Sequence, residues 1–142
     1  MNNYLERLNA THLHLIILKE GKTVFTSSKA GMRPLLDAID IVGLPTLRKS
    51  VVIDKIVGKA AALLITYFKA REVHCLVLSV RAREVLDKRG IKHYAERIVP
   101  EVKNKLGTDV CPFEKAVLDV EDPEEAYETL SAKLKFFETQ RQ

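Results

Sequence analysis

Between Gly107 and Val120 the sequence reads GTDVCPFEKAVLDV, which sets Cys111 directly before a proline, with Glu114 three residues further on. Pro112 suits a first helical position, where its missing N–H costs nothing, so Cys111 falls at the N-cap. A thiolate there gains from the terminal N–H groups, the condition that lowers a cysteine pKa and makes a nucleophile. Asp109 and Glu114 oppose this by adding negative charge nearby. The structural alternative is an inert cysteine at a proline-initiated helix, with Glu114 reaching back to an N–H as a capping-box acid.

The second stretch able to do chemistry is DKIVGKAA, Asp54 to Ala61. The reading here is a helix from about Asp54, with Asp54 as N-cap and Lys55 and Lys59 four residues apart on one face. Cations at that end face the positive pole of the backbone, so the arrangement calls for an anion. The functional reading is a pocket where helix N–H groups and both lysines hold a phosphate or carboxylate, with Asp54 orienting a polar group. Gly58 costs about 1 kcal/mol relative to Ala inside a helix, a cost that fits a close approach to the backbone. The bland counterpart is that the lysines pair with Asp54, Glu114 or another acid and that Gly58 relieves packing.

Peripheral candidates surround these two stretches. Arg33, after Gly31 and before Pro34, can present its planar fork to an anion at another helix start, or simply face solvent. Ser79 ends an apolar run at the edge where α/β sheets bind ligands, or caps the helix that follows. Asn104, near the chain reversal at Gly107, can read an amide or base edge, or act as a cap. His12 and His14 alternate onto one strand face but lack a third metal ligand, and His74 and His93 have no metal-ligand spacing. Arg81, Arg83, Lys88 and Arg89 make a basic helix face without interleaved aromatics, which reads as solvated; nucleic-acid binding is a lesser alternative.

The elements that must position these residues follow from periodicity. YLERLNA places Tyr4, Leu5 and Leu8 at helical spacing, and HLHLIILKEGKTVFTSS reads as a hairpin punctuated at Glu20-Gly21. A helix opening at Ser28 or Gly31, with Pro34 early, closes at Gly43 and Pro45. VVI is a short β-branched run, and Ala60 to Phe68 is apolar on nearly every face, the pattern of a buried central helix. EVHCLVLSV is an interior strand, RAREVLDKRGI a helix closed by Gly90, and KHYAERIVPEVKN a short strand with a turn or short helix. The last helix starts with Asp122 as cap, Pro123 first and Glu125 third, its inward stripe Ala126, Leu130, Leu134 and Phe137. Strands alternating with helices predict a single domain over residues 1–142, an α/β protein built as a three-layer α/β/α sandwich with a mixed sheet.

Composition bounds the rest. The 142 residues carry 46% hydrophobic and 30% charged side chains and a net charge of +4, with signs interspersed. No apolar run approaches the ~20 residues of a membrane span, and the N-terminus lacks the apolar core of a secretory signal, so a cytoplasmic location is expected. Cys75 and Cys111 sit in unlike settings, which argues against a disulfide. With tryptophan absent, glutamine confined to Gln140 and Gln142, and Lys, Arg and Glu abundant, the composition is compatible with a heat-adapted source.

The segments SKAGMRPLL, VIDKIVGKAAALL, LSVRAREVLDKRGI, IVPEVKN and CPFEKAV, spanning Ser27 to Glu125, resemble a small uncharacterised prokaryotic family, a domain of unknown function with the cytidine deaminase-like fold. The resemblance implies that fold and no activity; it also implies that Lys55 or Lys59 lies close to Cys111. True deaminases place His/Cys-x-Glu at the start of the buried helix and Pro-Cys-x-x-Cys at the next, where three ligands hold zinc. This chain has DKIVGK at the first, and Ser79 and Ala82 where the two cysteines would fall. The expectation is therefore a zinc-free protein without cofactor. Its site is expected to contain Cys111, Glu114 and Asp54, with Lys55, Lys59, Ser79, Arg33 and Asn104 binding an anionic metabolite or nucleotide. Were it an enzyme, it would be a Cys-dependent transferase or hydrolase, with Cys111 as nucleophile and Glu114 or Asp54 carrying the proton. The alternative is a regulatory or sensing module with a structural Cys111, and a homodimer is expected only by analogy with the fold.

Overall fold

The computed structural model describes residues 2–104 and 106–140. The hairpin forms as expected: Leu15–Lys19 (β1) pairs antiparallel with Lys22–Ser27 (β2). Positive φ at both Glu20 and Gly21, 50° and 78°, gives the turn whose twist matches the strands. Val51–Val57 (β3) lies antiparallel to β1, and Glu72–Ser79 (β4) and Lys92–Val99 (β5) continue in parallel. The result is an open mixed sheet of order β2-β1-β3-β4-β5.

One element boundary departs from expectation and moves the site. β3 runs on through Asp54 and Lys55, because Asp54 is matched to Leu15 on one side and to Cys75 on the other. The central helix α4 (Lys59–Tyr67) starts only after Gly58, which is extended at φ −99°, ψ −175°. Asp54 therefore caps no helix, and Lys55 and Lys59 share no helix face. Ladder hydrogen bonds on two sides outweigh a local capping signal, since strand formation is decided by neighbours more than by intrinsic preference.

Alternation along the strands divides the interior. Leu15, Ile17, Val52, Val73 and Cys75 face the main core, which they share with α2 (Arg33–Val42), α4, α5 (Val80–Lys88) and α7 (Pro123–Gln140). Ile16, Leu18, Val51 and Ile53 face the other way and bury Leu5 and Leu8 of α1 (Asn3–Asn9). Every residue of α4 from Lys59 to Thr66 is buried, so the helix is the hub predicted by its all-round apolarity. A Leu64→Ala or Ile65→Ala cavity there should cost about 2–5 kcal/mol.

Termini of the other helices follow their local chemistry. α2 begins at Arg33, with Pro34 in its first turn and Met32 as an N-cap without a side-chain bond, and Gly43 at φ 93° ends it. Pro45 lies within a further single turn, α3 (Leu44–Leu47). The N–H of Glu125 donates to Asp122 Oδ2 at 2.9 Å, so Asp122 caps α7, whose Ala126 and Leu130 are buried. Pro112–Ala116 (α6) is one short turn and a half, held against α4 and α7.

Candidate functional site

The start of α4 carries unsatisfied N–H groups, and a carboxylate from far along the chain satisfies two of them. Glu114 Oε1 accepts from the N–H of Lys59 at 2.7 Å, and Oε2 accepts from the N–H of Ala60 at 2.6 Å. The anion called for at this helix tip is thus internal, and no external guest is needed there. Glu114 does not cap its own helix; it caps α4, because α6 packs against α4 and aims the side chain across. Burial pushes the Glu114 carboxyl up from its ordinary range, while the two N–H bonds and the charges of Lys59 and Arg81 pull it back.

Gly58 is explained by the same contact. A Cβ built there would stand 2.1 Å from Glu114 Oε1 and 2.9 Å from Val102 Cγ2. The backbone is in a region any residue adopts, so the requirement is space alone. Lys59, 5% exposed, points away from this acid: its Nζ donates to Leu118 O at 2.8 Å and to Glu121 Oε1 at 3.2 Å.

On the near side of Glu114 lies a cavity of about 580 Å³, walled by the ends of β3 and α4, the segment opening α2, residues 102–104 and the start of α6. Its lining is largely apolar, with Met32, Pro34, Ile56, Val102 and Phe113 prominent. Asp54, Lys55, Asn104, Cys111 and Glu114 meet there although up to sixty residues separate them. The Asp54 carboxyl accepts from the N–H of Lys55 at 2.8 Å, yet burial still drives it up to about 7. Its charge in turn adds to the desolvation that pushes the buried Cys75 thiol up to about 12, which makes Cys75 an inert core thiol. Desolvation and the neighbouring Lys55 charge hold His14 below the usual histidine range.

Three lysines reach the cavity: Lys29 and Lys103 have acidic partners in Asp37 and Glu101, at 4.0 and 2.6 Å. Among the described residues, no carboxylate or hydrogen-bond acceptor pairs with the Lys55 ammonium. Cys111 lines the wall as the N-cap of α6, its side chain making no capping bond and meeting no base among the described residues.

The remaining candidates lie elsewhere. Ser79 is buried and caps α5, accepting from the N–H of Ala82 at 3.1 Å. Arg33 is held by Asp37 and Glu138 on the outer face of α2. Asn104 touches the cavity and also braces the Gly107 reversal, its Oδ1 accepting from the N–H of Thr108 at 3.1 Å. Among the described residues, no three His, Cys, Asp or Glu side chains converge as metal ligands. Lys29, Lys103 and Phe113 were not singled out from sequence. Each lies in an unremarkable local pattern, and only the approach of residues 102–104 and 111–113 to the segment opening α2 brings them in.

The helix tip and the cavity fall within one match to a family model, which runs from residue 3 to residue 134 and describes a domain of unknown function, DUF1893. The chain belongs to the DUF1893 family. A solved DUF1893-family protein from Thermotoga maritima is 31% identical, covering 91% of this chain and 86% of that one, with a TM-score of 0.81. No curated protein matches the chain. Family membership thus fixes the scaffold of this DUF1893 chain and assigns it no reaction.

Proposed function

We propose that this DUF1893 domain binds a small molecule with an apolar body and one anionic group, phosphate or carboxylate, in the cavity beside Asp54 and Lys55. The single observation that carries the reading is Lys55, a cation on the cavity wall without an acidic partner among the described residues, where the other two lysines are paired. A volume of about 580 Å³ lies within the range of small-molecule sites, and the apolar walls supply most of the contact. Asp54, its carboxyl pushed up to about 7, can donate or accept a hydrogen bond to a polar edge of the ligand near neutral pH, and the Asn104 Nδ2 proton not given to Thr108 can supply a further contact.

Matched aromatic carboxylates and their neutral amides, compared by thermal shift and calorimetry, test the proposal. Carboxylates should stabilise the fold more than the amides, and Lys55→Gln should remove the difference. Equal shifts for both sets, or none, would end it.

Binding without turnover is the reading favoured by the surroundings of the thiol. A Cys-dependent transferase or hydrolase needs a base at the sulfur. Glu114 has both oxygens committed to α4, and Asp54, the other carboxyl among the described residues of the cavity wall, accepts from the N–H of Lys55 and makes no hydrogen bond to Cys111. Cys111→Ser should therefore keep ligand affinity, whereas an activity that vanished with this change would favour the enzyme.

The scaffold reads as a deaminase-like sandwich, with α4 as the buried central helix and α1 supplying the third layer. Zinc does not fit it: the first turn of α4 carries Lys59 and Ala60, α5 opens with Ser79 and Ala82, and the α4 tip already holds Glu114. The donor set is wrong for a zinc site. No helix among the described residues is long and apolar enough to cross a membrane, and two free thiols suit a cytoplasmic setting. The α5 face is not read as a nucleic-acid site, because Glu84 and Glu121 interrupt Arg81, Lys88 and Arg89 along its groove.

A further inference from the structure

The sheet ends in β5, whose inner edge is taken by β4 and whose outer edge has no partner strand among the described residues. At eight residues it is a long edge, and such an edge carries a row of unpaired N–H and C=O groups ready to accept another strand. Its cover is thin on one face, since α5 and the main core pack against the other. Tyr94 is 50% and Ile98 42% exposed, on the face away from the main core, where Tyr94 stacks on His74 with ring centroids 4.7 Å apart.

Charges along that face decide what can pair. A two-fold axis normal to the sheet brings residues of equal parity opposite one another, so only a few registers exist. With Ala95 on the axis, Glu96 meets Tyr94 and Lys92 meets Ile98. With Glu96 or Arg97 on the axis, like charges face each other. With Tyr94 on the axis, Lys92 of each strand lies opposite Glu96 of the other, twice by symmetry, and the two tyrosines meet at the centre. Ala95 then faces His93, a small residue against an imidazole already held by Asp87 at 2.7 Å. Of these registers, the one about Tyr94 pairs opposite charges twice and makes the strand complementary to itself.

We propose that a second copy of this chain docks by antiparallel pairing of β5 with β5 about Tyr94, joining two five-stranded sheets into one of ten. His74 holds the Tyr94 ring in place before association, which lowers the ordering cost of the central contact. The pairing leaves the Asp54–Lys55 cavity untouched, since none of its lining residues belongs to β5.

Sedimentation velocity and light scattering over a wide concentration range test it with the full chain. The parent should be a dimer, and Glu96→Lys and Lys92→Glu should each weaken association about tenfold or more by turning two attractive cross-strand pairs into repulsive ones. The double exchange Lys92→Glu with Glu96→Lys should restore it, and an equimolar mixture of the two single variants should associate as the heterodimer, in which both cross-strand pairs are again attractive. Circular dichroism confirms that the exposed substitutions leave the fold intact. A monomer at all concentrations, a dimer indifferent to both single changes, or a double variant no tighter than the singles would overturn the proposal.

Discussion

Two acids, the buried Glu114 and the half-buried Asp54, lie on the same cavity, and both are pushed above the ordinary carboxylate range by desolvation. Glu114 is consumed by architecture: each oxygen takes a backbone N–H of α4, and the positive helix end faces it. Asp54 takes its N–H bonds from its own strand and keeps a side facing the cavity. The lysines repeat the contrast, with Lys59 tied to Leu118 and Glu121 and Lys55 without an acidic partner among the described residues. Burial and an acidic type therefore do not mark a functional group. What marks it is unfilled bonding capacity directed at empty space.

The comparison breaks most sharply at Gly58. Gly58→Ala should destabilise by about 3–4 kcal/mol, because relieving the clash detaches a carboxylate from two buried N–H groups; chemical denaturation measures it. Glu114→Ala should cost about 2–3 kcal/mol by leaving the same N–H groups unsatisfied. The two changes should be less than additive in the double variant, since each removes the same contact, and full additivity would refute the pairing.

Asp54→Asn should act in the opposite direction and depend on pH. The folded protein holds the Asp54 proton up to about 7, above the ordinary 3.8, so folding stability is complete below that lower value and declines as pH rises toward 7. The variant should exceed the parent by about 2 kcal/mol at pH 8, a figure kept to about half the full shift because the side chain is only partly buried. The advantage should fade to nothing near pH 4, and parallel stability curves would show that Asp54 is not desolvated. Lys55→Gln should change stability by less than about 0.5 kcal/mol while abolishing preference for anionic ligands. A large stability loss there would mean that Lys55 is as structural as Lys59.

The hairpin, the buried helix, the interior strand and the capped last helix were legible because each is signalled within a few residues: Glu20-Gly21, the apolar run from Ala60 to Phe68, and Asp122-Pro123. The start of α4 was not. Asp54-Lys55 followed by apolar residues satisfies the rules for a cap and for a strand equally well, and β1 and β4 decide between them. Five residues of difference moved Lys55 from a helix face to a cavity wall and left Lys59 at the other side of the tip. Among the site residues, Cys111, Glu114, Asp54, Lys55 and Asn104 do converge on one cavity, while Arg33 and Ser79 are taken by ion pairs and a cap.

By itself the sequence determined which segments are apolar and with what period, and hence the elements and the need for an anion near Gly58, since periodicity and capping are local properties. Only the tertiary structure decided that Glu114 supplies that anion and that Lys55 is left without one among the described residues. Pairing of charges is a matter of distance in space, and the sequence separation of 55 between Lys59 and Glu114 carries no local trace of a 2.7 Å bond.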